Sequence, residues 1–302
     1  MSNRMPAPAA SPHAMTATLA IAFTAICFGL VPGFARELQG LGVPDAVIAF
    51  YRYAFSAAVL LPFLPLRRGK RRQGAIMFGA GLLMGLGWVG YLQLVGTTSI
   101  AAAGVIYMSY PLFALLFGWI LLGLRPGRRA WAACAAILLA AAVMAEGAAG
   151  LSLHGVLLAL PAPLTFGLGI VVISALVHDL RVLERLSAGL LGSVAGLAPH
   201  ILATTPAAVI PPGGAAWLAV LGLGLLTALI PQLLYTLAAP HVGPARAAAA
   251  GAVELPVMML VGWLAFAEAM GLREVIAAAL VVGAVTLTPA MDMRRPRTGP
   301  TA

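Results

Sequence analysis

Residues 99–123 read SIAAAGVIYMSYPLFALLFGWILLG, a stretch that carries no charged side chain. A bilayer core of roughly 30 Å is crossed by about 20 apolar residues in helical form. Helix is the form to expect, because an open strand in lipid leaves its backbone groups unsatisfied. Read outward from this stretch, the chain offers comparable segments at about 16–36, 44–64, 74–94, 99–122, 128–146, 153–176, 188–210, 216–238, 244–266 and 270–290. The expected fold class is therefore all-α integral membrane with ten transmembrane helices. Composition agrees. Only 9% of the 302 residues are charged and 62% are hydrophobic, whereas a soluble domain carries roughly 25% charged residues. The 34 glycines suit helices packed backbone to backbone.

The net charge of +9 sits in short loops rather than in one tract. The cluster Arg67, Arg68, Lys70, Arg71 and Arg72 could be a lipid-phosphate or nucleic-acid patch, but a topology determinant fits it better. With the N-terminus in the cytoplasm, the loops 65–73, 125–129 and 177–187 and the tail bearing Arg294, Arg295 and Arg297 all face inward. Fifteen of the 18 basic residues then lie inside, Arg4 and Arg246 among them; Arg36 and Arg273 face outward and Arg52 lies within a helix. The expected placement is multi-pass in the cell (inner) membrane with both termini cytoplasmic. Residues 17–31 could also be a signal-peptide core ahead of Gly33-Phe34-Ala35, but cleavage there would leave nine spans. Cys27 and Cys134 both fall in apolar segments and read as small packing residues.

The second half echoes the first. Tyr110-Pro111 and Gly118-Trp119 in the fourth segment answer to Leu255-Pro256 and Gly262-Trp263 in the ninth, at an offset near 144. The runs 96–101 and 241–247 correspond, and Phe28-Gly29 answers to Phe166-Gly167 at an offset of 138. This divides the chain into a tail at 1–15, a first five-helix repeat at 16–146, a second at 153–290 and a tail at 291–302. A unit of five spans crosses the membrane an odd number of times, so its copy is inserted upside down. Such inverted-topology repeats are common in secondary transporters, where exchanging the conformations of the halves opens a central site to alternate sides.

The local sequence resembles the EamA-type drug/metabolite transporters. Phe50-Tyr51-Arg52-Tyr53-Ala54 is similar to the family's aromatic-Arg pattern in the second span. Ser99 through Phe117, with Pro111, is similar to its fourth span. Gly243 through Glu268, with Glu254-Leu255-Pro256, is similar to its ninth. Where the family often closes the fourth span with an acidic residue, this chain has Gly123-Leu124. The resemblance implies a ten-span transporter with a site between the halves, in a family of exporters and importers of many small metabolites. The expected function is secondary, alternating-access transport of a small metabolite or amino-acid-like solute, with export as the expected direction.

Two charges lie at membrane depth, where such groups are costly and commonly functional or paired. Arg52 falls about 12 Å below the outer boundary and Glu254 about 15 Å from the inner one. Both are candidate gating or ion-pair residues, and Glu254 is also a candidate substrate ligand. Trp88, Tyr91, Tyr107, Tyr110, Thr165, Phe166, Gln232 and Tyr235 offer aromatic surface and hydrogen bonds without a full charge, and are the remaining substrate-binding candidates, although Trp and Tyr also serve as interface anchors. Gly85-Leu86-Gly87-Trp88-Val89-Gly90 matches a dinucleotide fingerprint in letters, but it lies inside an apolar span rather than between a strand and a helix, and close helix packing explains it better. The five histidines have no metal spacing, and neither a Ser–His nor an HExxH pattern nor a P-loop occurs. No enzyme activity, cofactor or metal is expected. A small-molecule substrate and the lipid bilayer are the expected partners, nucleic acid is not, and a homodimer stays open. An intramembrane enzyme and a lipid-handling or structural membrane protein are the alternatives.

Overall fold

A computed structural model of the chain describes residues 12–124, 126–145, 151–242 and 250–287. Both expected tails beyond these limits, Arg4, Arg125, Arg246, Arg294, Arg295, Arg297 and most of the 241–247 run lie outside the described residues. Every regular element among the described residues is helical. In order they are α1 (Pro12–Gly29), α2 (Val31–Gly40), α3 (Asp45–Leu60), α4 (Arg71–Thr97), α5 (Ile100–Tyr107), α6 (Tyr110–Leu122), α7 (Arg128–Ala145), α8 (Leu153–Ala159), α9 (Pro161–Ala175), α10 (Val182–Leu202), α11 (Pro206–Val209), α12 (Gly213–Gly224), α13 (Ile230–Val242), α14 (Glu254–Phe266) and α15 (Leu272–Leu287). A 3₁₀ turn at Leu61–Phe63 extends α3, and a π-helical turn at Leu225–Leu229 joins α12 to α13.

Among the described residues, seven helical stretches are long and apolar enough to cross a membrane: Met15–Gly40, Asp45–Phe63, Arg71–Thr97, Ile100–Leu122, Arg128–Ala145, Leu153–Ile173 and Gly213–Ala238. The remaining three expected segments are helical but depart from that measure. The seventh starts earlier than expected, at Val182, and takes Glu184 and Arg185 into its first turns. The ninth appears as the 13-residue α14 and the tenth as the 16-residue α15. The tail expected at 1–15 is also shorter, since α1 starts at Pro12.

Several segments expected as continuous are broken, and proline places the breaks. Pro111 stands at the second position of α6 and Pro161 at the first of α9. Proline has no N–H to give to the preceding turn, but at a helix start none is needed. Each proline therefore begins a new helix after a short interruption. Serine caps begin two others: Ser99 Oγ accepts from Ala102 N–H at 3.2 Å, and Ser152 Oγ from Gly155 N–H at 3.0 Å.

Glycine sets the packing distances. The most extensive helix pair is α4 with α10. A methyl group at Gly85 would lie 2.2 Å from the Ser193 carbonyl oxygen, and one at Gly192 would lie 2.0 Å from that of Phe78. Only glycine permits such backbone approach. In the fingerprint-like run, Gly85 meets α10, Gly87 meets Pro161 of α9 and Gly90 meets Leu158 of α8, which is the packing role the sequence suggested. The core formed this way joins the two halves: Val31, Tyr53, Tyr91, Tyr107, Leu197, Leu223 and Met258 belong to one buried cluster.

Candidate functional site

Two half-helices from opposite halves begin in the interior. α6 starts at Tyr110 after the turn residues Met108 and Ser109, and α14 starts at Glu254 after Ala252 and Val253. The halves receive these starts reciprocally. A methyl group at Gly29 of α1 would lie 2.9 Å from the Glu254 carbonyl oxygen, and one at Gly167 of α9 would lie 2.7 Å from that of Tyr110. A helix N-terminus carries partial positive charge, which suits an acidic side chain such as Glu254.

Around these starts the aromatic candidates converge. Trp88 and Tyr91 of α4 lie 5.2 Å apart between ring centroids, edge to face. Tyr107 touches both, at 5.7 Å and 5.3 Å. Tyr110 lies 5.8 Å from Tyr107, and Phe166 stands edge-on to Tyr110 at 4.9 Å. Edge-to-face and tilted pairs at these separations are favourable beyond the area they bury. Tyr53, which the sequence reading quoted without marking as a site residue, belongs to the same group and lies 6.3 Å from Trp88.

Arg52 forms one wall. It is buried, and its guanidinium stacks over Trp88 at 4.1 Å and over Tyr53 at 5.3 Å, a cation–π arrangement that gains from exclusion of water. One arm donates to the Thr227 carbonyl at 3.2 Å. In a regular helix that carbonyl would accept from the N–H four residues on, but residue 231 is proline. The helix answers with the π turn at Leu225–Leu229, and Arg52 takes the carbonyl. A charge read as costly at depth is thus held by a carbonyl that the sequence itself frees.

Three buried polar atoms of this group have no partner among the described residues: Arg52 Nε, Trp88 Nε1 and Tyr91 OH. Arg Nε–H and indole N–H only donate, while the phenol donates or accepts. Buried donors without acceptors are rare, and each costs about 1–3 kcal/mol while unmade. Glu254 is buried at the start of α14. Among the described residues it makes no ion pair with Arg52. The interior therefore holds a guanidinium, a carboxyl group and an aromatic wall with no ion pair between the first two.

The other candidates stand differently. The Thr165 hydroxyl donates to the Pro161 carbonyl at 2.7 Å, within its own helix. Gln232 lies on α13, where its carbonyl accepts from the Thr236 hydroxyl at 2.6 Å. Tyr235, on the same helix, is 42% exposed.

At one end of the bundle a second polar group ties three elements. Arg36 of α2 donates to the Glu268 carboxylate and to the carbonyls of Val95 and Thr98. Both Glu268 oxygens accept from Ile100 N–H, at 2.9 Å and 3.0 Å. At the opposite end, Lys70 donates to Glu184 at 2.7 Å and 2.8 Å, and Gln73 donates to Asp179 at 2.6 Å.

The model of the EamA-like transporter family matches residues 15–145 and again 153–289. The two matched blocks divide the chain where the internal repeat divides it. No curated protein matches the chain. Fifteen chains of solved structures match. One, described only as the crystal structure of a protein, is 22% identical over 94% of this chain and 99% of its own, with a TM-score of 0.64. At that identity it shows a shared fold.

Proposed function

The chain belongs to the EamA-like transporter family, and we propose that it exports a small metabolite or amino-acid-like solute across the cell (inner) membrane by alternating access. Ten spans then make two five-helix units of inverted topology, with both termini cytoplasmic. The basic loops facing inward support that orientation, and the reciprocal seating of the two half-helix starts supports the inverted relation. Reporter fusions at Met1 and Ala302 should both read cytoplasmic, and a reading from the other side at either end overturns the ten-span arrangement.

One observation carries the transport reading: Arg52 Nε, Trp88 Nε1 and Tyr91 OH are buried donors without acceptors at the junction of the two repeats. A solute with an acceptor-rich end supplies what they lack. Glu254 stands ready for a cationic end, and the rings from Trp88 to Phe166 cover an apolar middle. Half-helix N-termini serve the same end in transporters built from broken helices. In this reading the Arg36–Glu268 group closes the outer end while the site is loaded from inside, and its release opens the way out.

The test is solute flux in proteoliposomes, with compounds chosen by a thermal-shift screen across amino acids, sugars and other metabolites. A compound that stabilises the protein should also cross the membrane. Trp88→Phe keeps an aromatic side chain, removes the indole N–H donor and trims buried volume. It should weaken apparent affinity by roughly ten-fold, near the worth of one hydrogen bond, with the protein still folded in thermal unfolding. A stabilising compound that is not transported, or a Trp88→Phe protein with unaltered affinity, counts against the reading.

A further inference from the structure

Away from the centre, a cleft of about 500 Å³ lies between the end of α3 and the start of α10. Its volume falls within the usual range for small-molecule sites. One wall is the segment Pro62 to Arg67 and the other is Arg181 to Glu184. Beside it, Phe63 and Leu66 are exposed apolar side chains at the end of a membrane-crossing stretch, where lipid rather than water would cover them.

The charges are arranged for an anion. The cleft's carboxylate, Glu184, is already engaged: it accepts two bonds from Lys70 and a third from the Arg181 backbone N–H at 2.7 Å. The Lys70 ammonium at 2.7 Å therefore already matches that carboxylate. Arg71 donates to the Leu66 carbonyl at 2.7 Å and Arg185 to the Leu180 carbonyl at 3.0 Å. Those two arginines pin the segments that form the walls. Arg67 and Arg181 remain, one on each wall, and neither makes an ion pair among the described residues. Guanidinium groups match phosphate oxygens in a fork geometry.

We propose that this cleft binds the phosphodiester headgroup of an anionic phospholipid between Arg67 and Arg181, with an acyl chain lying against Phe63 and Leu66. Basic clefts at the ends of membrane helices take such headgroups. The inference rests on the membrane reading above but not on any solute, and it concerns segments remote from the aromatic group.

The experiment is thermal unfolding of the purified full chain in neutral detergent, titrated with phosphatidylglycerol, phosphatidylcholine or inorganic phosphate. Phosphatidylglycerol should raise Tm saturably, and phosphatidylcholine and phosphate at equal concentration should not. At about 1 kcal/mol for each basic residue, Arg67→Gln should weaken the apparent lipid affinity roughly five-fold, and Arg67→Gln/Arg181→Gln roughly thirty-fold. Arg128→Gln/Arg129→Gln removes equal charge from the exposed first turn of α7 and should leave the response intact. Equal loss in that control, an unchanged response in the Arg67/Arg181 variant, or full stabilisation by phosphate alone overturns the proposal. Because the readout is lipid binding, failure of solute flux would leave it standing, and its own failure would leave the transport reading untouched.

Discussion

The helices Tyr110–Leu122 and Glu254–Phe266 are one design used twice, with different chemistry at each end. Both have 13 residues. Each ends on a residue in the left-handed conformation, Gly123 at φ 68° and Ala267 at φ 51°. In each, the next N–H turns back to a glycine carbonyl: Leu124 to Gly118 at 3.2 Å and Glu268 to Gly262 at 3.0 Å. This is the 6→1 bond of a Schellman close. The offset is 144 throughout. At the start, however, one copy has a neutral phenol and the other a carboxylate. At the close, one has Leu124, while the other has Glu268 reaching Arg36 and Ile100 N–H. The backbone plan is symmetric, but the polar ties are not. One close is thus tied by an ion pair to the helix Val31–Gly40, while its counterpart at Leu124 carries no charge to make such a tie.

The largest test of that contrast is at the closes. Glu268→Gln removes the charge that pairs with Arg36, leaving a part-buried guanidinium with only carbonyl partners. Breaking one side of a fully buried pair costs about 3–5 kcal/mol. Both partners here keep some exposure, so a loss of about 2–3 kcal/mol is expected in thermal unfolding. Leu124→Gln, the matching change in the other copy, should cost under about 1 kcal/mol, as surface substitutions do. Equal losses at the two closes would erase the asymmetry.

Next come the starts. Glu254→Gln should lower flux by about ten-fold or more, because a charge at depth is retained for its work rather than for stability. Tyr110→Phe should lower it by less than about five-fold, since its ring and not its hydroxyl meets Phe166. Arg52→Gln combined with Glu254→Gln sharpens the comparison as a double-mutant cycle. Arg52 and Glu254 are both buried and make no ion pair among the described residues; as both are proposed to face one solute, the double variant should be less impaired than the product of the two single losses. Strictly multiplicative losses would mean the two charges act on separate steps.

Much of this asymmetry was legible in residue types and little of it in geometry. The repeat offset, the Gly-Trp pairs and the missing acid at Gly123-Leu124 are all readable in the sequence. The breaks were misplaced for a physical reason. Pro111 and Pro256 stand inside segments expected to be continuous, whereas proline near a helix start initiates a new helix. The aromatic candidates were chosen for depth and type, and five of them do meet, but nothing local predicts that Thr165 turns its hydroxyl to its own helix. Tyr53 was overlooked because its neighbour Arg52 drew the functional reading. Arg36 and Glu268 stand 232 positions apart, and no periodicity announces a pair at that distance.

The smallest test concerns the residue that closes each copy. Ala267 holds the left-handed conformation at φ 51°, where Gly123 does the same work without a Cβ. For an L-residue that conformation costs roughly 1–2 kcal/mol relative to its preferred regions. Glycine escapes this cost but loses more chain entropy on folding, by roughly 0.5–1 kcal/mol. The balance favours glycine slightly, so Ala267→Gly should stabilise the protein by about 0.5 kcal/mol. Gly123→Ala should destabilise it by a similar amount or somewhat more. Open space surrounds Gly123, with nothing within 4 Å of a methyl placed there, so steric conflict would not add to the backbone term. Opposite signs at 267 and 123 in thermal unfolding are the expected outcome. A loss on Ala267→Gly would mean that the alanine methyl packs usefully at that close. The two copies would then differ in packing as well as in charge.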